Sequence, residues 1–184
     1  MADEKISALT DGSPLQSTDE FIIARSGSSL KLPGSALGGA FSGARVYNSG
    51  ATISIPNSSL TAISFNAENF DTDSYHESVT HPTRLTVPGA GEYLVGGGVL
   101  WAANGTGWRS LRVRVNGTTD IVNEGIDSPS GADAIGQPLS TLVSLSAADY
   151  LELIAFQTSG GSLNIFGEGT SGVGYSPVFW IAKL

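Results

Sequence analysis

Residues 66–102, NAENFDTDSYHESVTHPTRLTVPGAGEYLVGGGVLWA, constrain the fold more than any other stretch of the chain. A long polar run (68–82) is followed by a short apolar strand (83–87), a Pro-Gly turn (88–91) and a longer apolar strand (92–102). That succession belongs to antiparallel β structure. After Phe70 the polar run carries Asp71, Asp73, His76, Glu77 and His81, so it reads as a loop presented to solvent. The flanking strands, rich in Leu, Val, Tyr and Trp, read as core.

The chain beyond this stretch keeps the same period. Residues 108–115, WRSLRVRV, alternate with Leu111, Val113 and Val115 on one side and Arg112 and Arg114 on the other, the pattern of a half-buried strand. Asn116-Gly117 is a hairpin turn signal, and it brings the next strand (118–123) back with Asp120 and Glu124 in reach of the two arginines. Exposed pairs of that kind are worth about 0–1 kcal/mol. Further strands are expected over 44–48, 52–56, 60–65, 138–145, 150–158, 162–166 and 178–184, with a loop over 125–137. No window sustains apolar spacing at three and four, so the expected class is all-β, a sandwich of about ten short antiparallel strands.

Composition narrows function by exclusion. The chain of 184 residues has no cysteine, which removes disulfides, thiolate metal sites and cysteine nucleophiles. Its net charge of −8 disfavours the phosphate backbone of nucleic acid and an anionic membrane surface. No apolar run is long enough to span a bilayer, and the opening MADEKISALTDG lacks the basic and apolar regions of a signal peptide. The expectation is a protein made in a cytoplasm, with no nucleic-acid partner and no membrane insertion.

Residues 1–42 differ from the rest. Two apolar clusters, with Ile6 and Leu9 in the first and Phe21, Ile22 and Ile23 in the second, are separated by TDGSPLQSTDE and followed by SGSSLKLPGSALGG, which holds Leu30 and Leu32. That is too little apolar surface for a domain. The division expected is therefore an N-terminal arm and hinge (1–42) and a β domain (43–184). A loose arm that becomes ordered on its own oligomer and an arm that docks on a separate surface both fit the composition.

The polar run is also the one constellation of metal-ligand types. Asp71, Asp73 and Glu77 alternate as calcium ligands can, but the central glycine and distal bidentate glutamate of a helix-loop-helix site are missing. The reading is a solvated loop able to touch a ligand, with no metal and no cofactor. No Gly-x-Ser-x-Gly or His-Glu-x-x-His occurs, and both histidines sit in that loop without an orienting partner. The chain is not expected to be an enzyme.

Two resemblances add to this. The polar run followed by LTVPGAGEYLV, then SAADYLELIAF (146–156) and the closing SPVFWIAKL (176–184), resembles the globular head of complement and the TNF-like jelly roll. Ala148 stands where that family usually has glycine. The resemblance implies a homotrimer packed around a threefold axis, with Tyr93, Trp101, Phe156, Tyr175 and Phe179 as candidates for that axis and the Gly96-Gly97-Gly98 run as a place for close backbone approach. The N-terminal ISAL, spacer, TDEFIIAR and LKL pattern resembles the attachment segment of tailed-phage structural proteins. It implies a virion location, with Ile6, Leu9, Phe21, Ile22, Ile23, Leu30 and Leu32 docking on the major capsid protein as a decoration (cement or head-fibre) protein. The alternative it leaves open is a tail-fibre or receptor-binding protein that contacts a tail protein and a host-surface receptor.

Overall fold

The computed structural model describes residues 20–25, 28–33, 41–50, 52–128, 133–169 and 177–184. The chain forms two compact units, Met1–Ala40 and Phe41–Leu184. In the first, strands β1 (Glu20–Arg25) and β2 (Ser28–Pro33) make an antiparallel hairpin. Its register sets Phe21 opposite Leu32, Ile22 opposite Lys31 and Ile23 opposite Leu30. The segment read as an extended arm is therefore self-paired here, which satisfies the backbone groups that an isolated strand would leave to water. Ile6 and Leu9 lie outside the described residues.

The second unit is a sandwich of two antiparallel sheets, with no helix among the described residues. The larger sheet runs β4 (Thr52–Ile55), β14 (Leu163–Phe166), β9 (Gly91–Trp101), β15 (Val178–Lys183), β3 (Gly43–Tyr47), β6 (Ala67–Asp71), and β12 (Ile135–Leu145) pairs with β9 along its whole length. The smaller runs β11 (Thr119–Asp127), β10 (Trp108–Val115), β13 (Tyr150–Gln157), β8 (His81–Thr86), β7 (His76–Glu77), with β5 (Thr61–Ala62) on β13. Most neighbours are distant in sequence, as in a jelly roll.

Along β9, β10, β13 and β15 the large core side chains fall mainly on one parity, with Ile154 of β13 buried on the other. In β9 these are Tyr93, Val95, Val99 and Trp101; in β10, Leu111 and Val113; in β13, Leu151, Leu153 and Ala155; in β15, Phe179 and Ile181. Between the sheets Phe65 stacks on Phe179 at 5.9 Å. A buried side chain of this size is worth about 1.5–3 kcal/mol, so the alternating core carries the fold without disulfides.

Local structure departs from the simple alternating pattern at three places. The Asn116-Gly117 turn forms with both residues at positive φ, 50° and 69°, and a register shift between Val113 and Arg114 places Asp120 opposite Arg114. Residues 60–65 give only the two-residue β5, after which Ile63 and Phe65 turn into the core. Residues 68–82, read as one polar loop, instead hold most of β6, all of β7 and the start of β8.

Candidate subunit-contact face

The larger sheet has a second face, turned away from the core, and its composition is unusual for solvent. Strand pairing puts Leu94 between Ala182 and Leu142, Gly96 between Trp180 and Ser140, and Gly98 between Val178 and Pro138. Arg45 stands between Trp180 and Phe70, and Tyr47 beside Val178. Leu142 is 64% exposed, Phe41 57% and Phe70 41%. A sheet face meant for water alternates polar residues there; a contiguous apolar one marks an interaction surface.

The residues expected on a threefold axis are not on this face. Tyr93, Trp101 and Phe179 have no exposed surface and belong to the core between the sheets. Tyr93 donates its hydroxyl to the Gly89 carbonyl at 2.5 Å, and Trp101 donates Nε1–H to Gln137 Oε1 at 2.9 Å. Burial in that core pushes the Tyr93 phenol up to about 12, with Tyr75 nearby adding to the shift. All three share the inward parity, so no second subunit can reach them. Phe156 is half-buried on the opposite sheet, beside Trp108 at 5.3 Å; Tyr175 lies outside the described residues.

The glycine run is likewise used mostly inside the protomer. A Cβ on Gly96 would run into the Trp180 ring, and one on Gly97 would come within 2.7 Å of the Val178 carbonyl. Only Gly98 opens outward.

The polar segment is structural at its centre. Asp71, ending β6 of one sheet, accepts N–H bonds from Tyr75 (3.0 Å) and from His76 (2.9 Å), the first residue of β7 in the other. The buried His76 donates Nδ1–H to Glu68 at 2.8 Å, while its Nε2 is enclosed with no hydrogen-bond partner among the described residues. Together these contacts tie the two sheet edges. Asp73 is exposed, and hydrogen bonds from Ser42 and then Thr72 hold its carboxyl below the usual range. Glu77, which accepts from Thr80, and His81 also face solvent. The five residues thus do not converge, and among the described residues no three His, Asp or Glu side chains come together around a common point.

On the smaller sheet's outward face Arg112 and Arg114 both reach Asp120, at 2.8 and 2.7 Å. The Arg114 hydrogen bond, then that from Arg112, holds the Asp120 carboxyl low. Four buried polar residues escaped the sequence reading, among them Ser110, whose hydroxyl donates to Asn123 Oδ1 at 2.6 Å. Arg109 is fully buried and donates to the carbonyls of Thr106 and Asn104, bracing the turn after β9. Gln137 links Trp101 to the Glu124 carbonyl, and Gln157 donates to the carbonyls of Ile55 and Gly161. Arg109 shares the parity of Leu111 and Val113, which is the signal that could have found it.

No protein-family model and no curated protein matches the chain. Solved structures do. Eiger TNF from S. frugiperda aligns with a TM-score of 0.58 at 14% identity, over 78% of this chain and 92% of its own. Murine APRIL, in a crystal structure at pH 5.0, aligns at 0.57 and 12% identity, over 79% of this chain and all of its own. The fold is a TNF-like jelly roll.

Proposed function

We propose that the chain is a homotrimeric, non-enzymatic virion structural protein: a knob that decorates a capsid and is attached to the major capsid protein through its N-terminal unit. The observation that carries the trimer is the apolar outward face of the larger sheet, which a second copy would cover. Support for the knob-and-anchor reading is the division of the chain into two compact units, Met1–Ala40 and Phe41–Leu184, with the hairpin bearing Phe21, Ile22, Ile23, Leu30 and Leu32 in the smaller one. The virion location rests on the resemblance of that segment to phage attachment segments. Three simultaneous attachments would raise the avidity of a weak anchor by orders of magnitude, about 10²–10⁴.

A second reading, a tail-associated receptor binder, draws on the smaller sheet's outward face, where Trp108 is 39% exposed beside Phe156 and Leu60 is 45% exposed. Quantitative mass spectrometry of purified particles against the major capsid protein separates the two. Hundreds of copies per particle are expected of a decoration protein; a few, in multiples of three, would move it to the tail, and none would overturn the virion reading.

A further inference from the structure

The trimer reading leaves open how the copies engage, and the outward face of the larger sheet is not uniform. At its β6 edge Phe41 and Phe70 meet edge to face, ring centroids 5.5 Å apart at 72°. The Phe41 ring lies over Gly43, where an added Cβ would come within 2.8 Å of it. The two rings form a raised, exposed ridge.

At the β12 edge the relief is inverted. Leu100, Pro138 and Val178 bound a groove of about 290 Å³ in which Gly98 and Gly136 contribute no side chain. A Cβ on Gly136 would meet nothing within 4 Å, and one on Gly98 would meet its nearest neighbour at an ordinary 3.5 Å. Neither residue has positive φ, so the backbone does not demand glycine at either position. Gly96, two residues before Gly98 on the same face, is by contrast filled by its own Trp180. The groove is space left for something from outside the protomer.

The ridge stands at β6, while the groove spans β12, β9 and the Val178 end of β15, with β3 between them. From β6 to the middle of the groove on β9 is three strand spacings of about 4.8 Å, roughly 14 Å, so a protomer cannot fill its own groove with its own ridge. The residues on both sides are uncharged, and apart from Gln137 in the groove lining they are apolar, in a chain whose net charge of −8 makes copies repel elsewhere. A raised edge and a hollow edge on one face can engage reciprocally across a twofold axis or head to tail, and head-to-tail contacts close as a ring when the rotation between copies closes; the threefold ring is the form that the trimer reading requires.

We propose that the Phe41–Phe70 ridge of one copy seats in the Gly98–Gly136 groove of the next, making the trimer a heterologous ring of three identical ridge-in-groove junctions. This rests on the trimer reading, and cross-linking tests the two separately. The chain has no cysteine, so a full-length double variant, Phe41→Cys with Gly136→Cys, reports only the engineered pair. After mild oxidation, non-reducing electrophoresis should show a covalent trimer for the double variant and only single chains for either single variant. Oligomers by light scattering without a cross-link in the double variant would overturn the junction while keeping the trimer. Covalent dimers without trimers from the double variant, or dimers from one single variant, would show a twofold contact instead. A monomeric wild-type chain would overturn both. As a second measurement, Gly136→Phe should give folded monomers, since the protomer has room for the ring but the groove is then occupied; intact trimers with that substitution would refute the junction.

Discussion

Asp71→Ala should be among the most damaging single changes on the surface of this protein. The Asp71 carboxylate takes two backbone N–H groups, from Tyr75 at 3.0 Å and His76 at 2.9 Å, and those residues are 1% and 7% exposed. Alanine leaves both donors in a place that water reaches poorly. Each unsatisfied donor costs about 1–3 kcal/mol; Asp71 is itself half-exposed, so partial hydration holds the sum to about 2–4 kcal/mol. Asparagine keeps one acceptor but turns an NH₂ toward the other N–H, for a loss of about 1–2 kcal/mol. The predicted order of stability is wild type, Asp71→Asn, Asp71→Ala. Urea unfolding at fixed protein concentration reads this as a midpoint shift of about 1–2 M for alanine, with m near 2 kcal/mol/M and unchanged. Glu77→Ala and His81→Ala, on the exposed part of the same segment, should stay within about 0.5 kcal/mol of wild type. An alanine variant at position 71 as stable as those controls would refute the role given to the carboxylate.

Two further predictions concern strain and alkaline pH. Ala148 sits at φ 69° in the exposed turn between β12 and β13; the left-handed penalty of about 1–2 kcal/mol, less the extra unfolded-state entropy of glycine at about 0.4–1 kcal/mol, predicts that Ala148→Gly stabilises by about 0.5–1 kcal/mol. Calorimetry should show Tm up by about 1–4 °C, and a lower Tm would contradict the strain. The Tyr93 phenol is raised from 10.0 to about 12 by burial, so the folded state holds its proton longer than the unfolded chain does. Its contribution is full below pH 10 and is lost as pH rises through 12. Tyr93→Phe should start less stable at neutral pH, through loss of the bond to Gly89, yet fall less steeply between pH 10 and 12; equal slopes in urea melts would argue against a buried phenol.

Much of the β architecture was legible because period-2 alternation survives wherever one face of a strand is polar. Trp108–Val115 was readable to the residue, since Arg112 and Arg114 mark the outside, and Asn116-Gly117 named its own turn. The segment from Glu68 to His81 misled at its centre, because Asp71 satisfies backbone groups across the sheet edges and His76 is buried against Glu68, while Asp73, Glu77 and His81 do meet water; composition cannot distinguish an aspartate that accepts two N–H bonds from one that is solvated. The aromatic residues misled for a related reason. In β9 the bulky Tyr93 and Trp101 share parity with Val95 and Val99, while Glu92, Gly96 and Gly98 share the other with Leu94 and Leu100, and the aromatic and β-branched residues mark the core side. Leu94 and Leu100 are the local sign that the outward side is also apolar, but its extent is not local: Phe70, Trp180 and Leu142 share one face only once β6, β15 and β12 are placed in one sheet by contacts far apart in the chain.

The mass of the full-length chain in solution, by size-exclusion chromatography with multi-angle light scattering, tests the trimer most directly. Three copies of the 18.9 kDa chain give about 57 kDa, and that mass should persist on dilution through the micromolar range. A species of 18.9 kDa would leave the apolar sheet face uncovered by a second copy and contradict the assembly proposed for it.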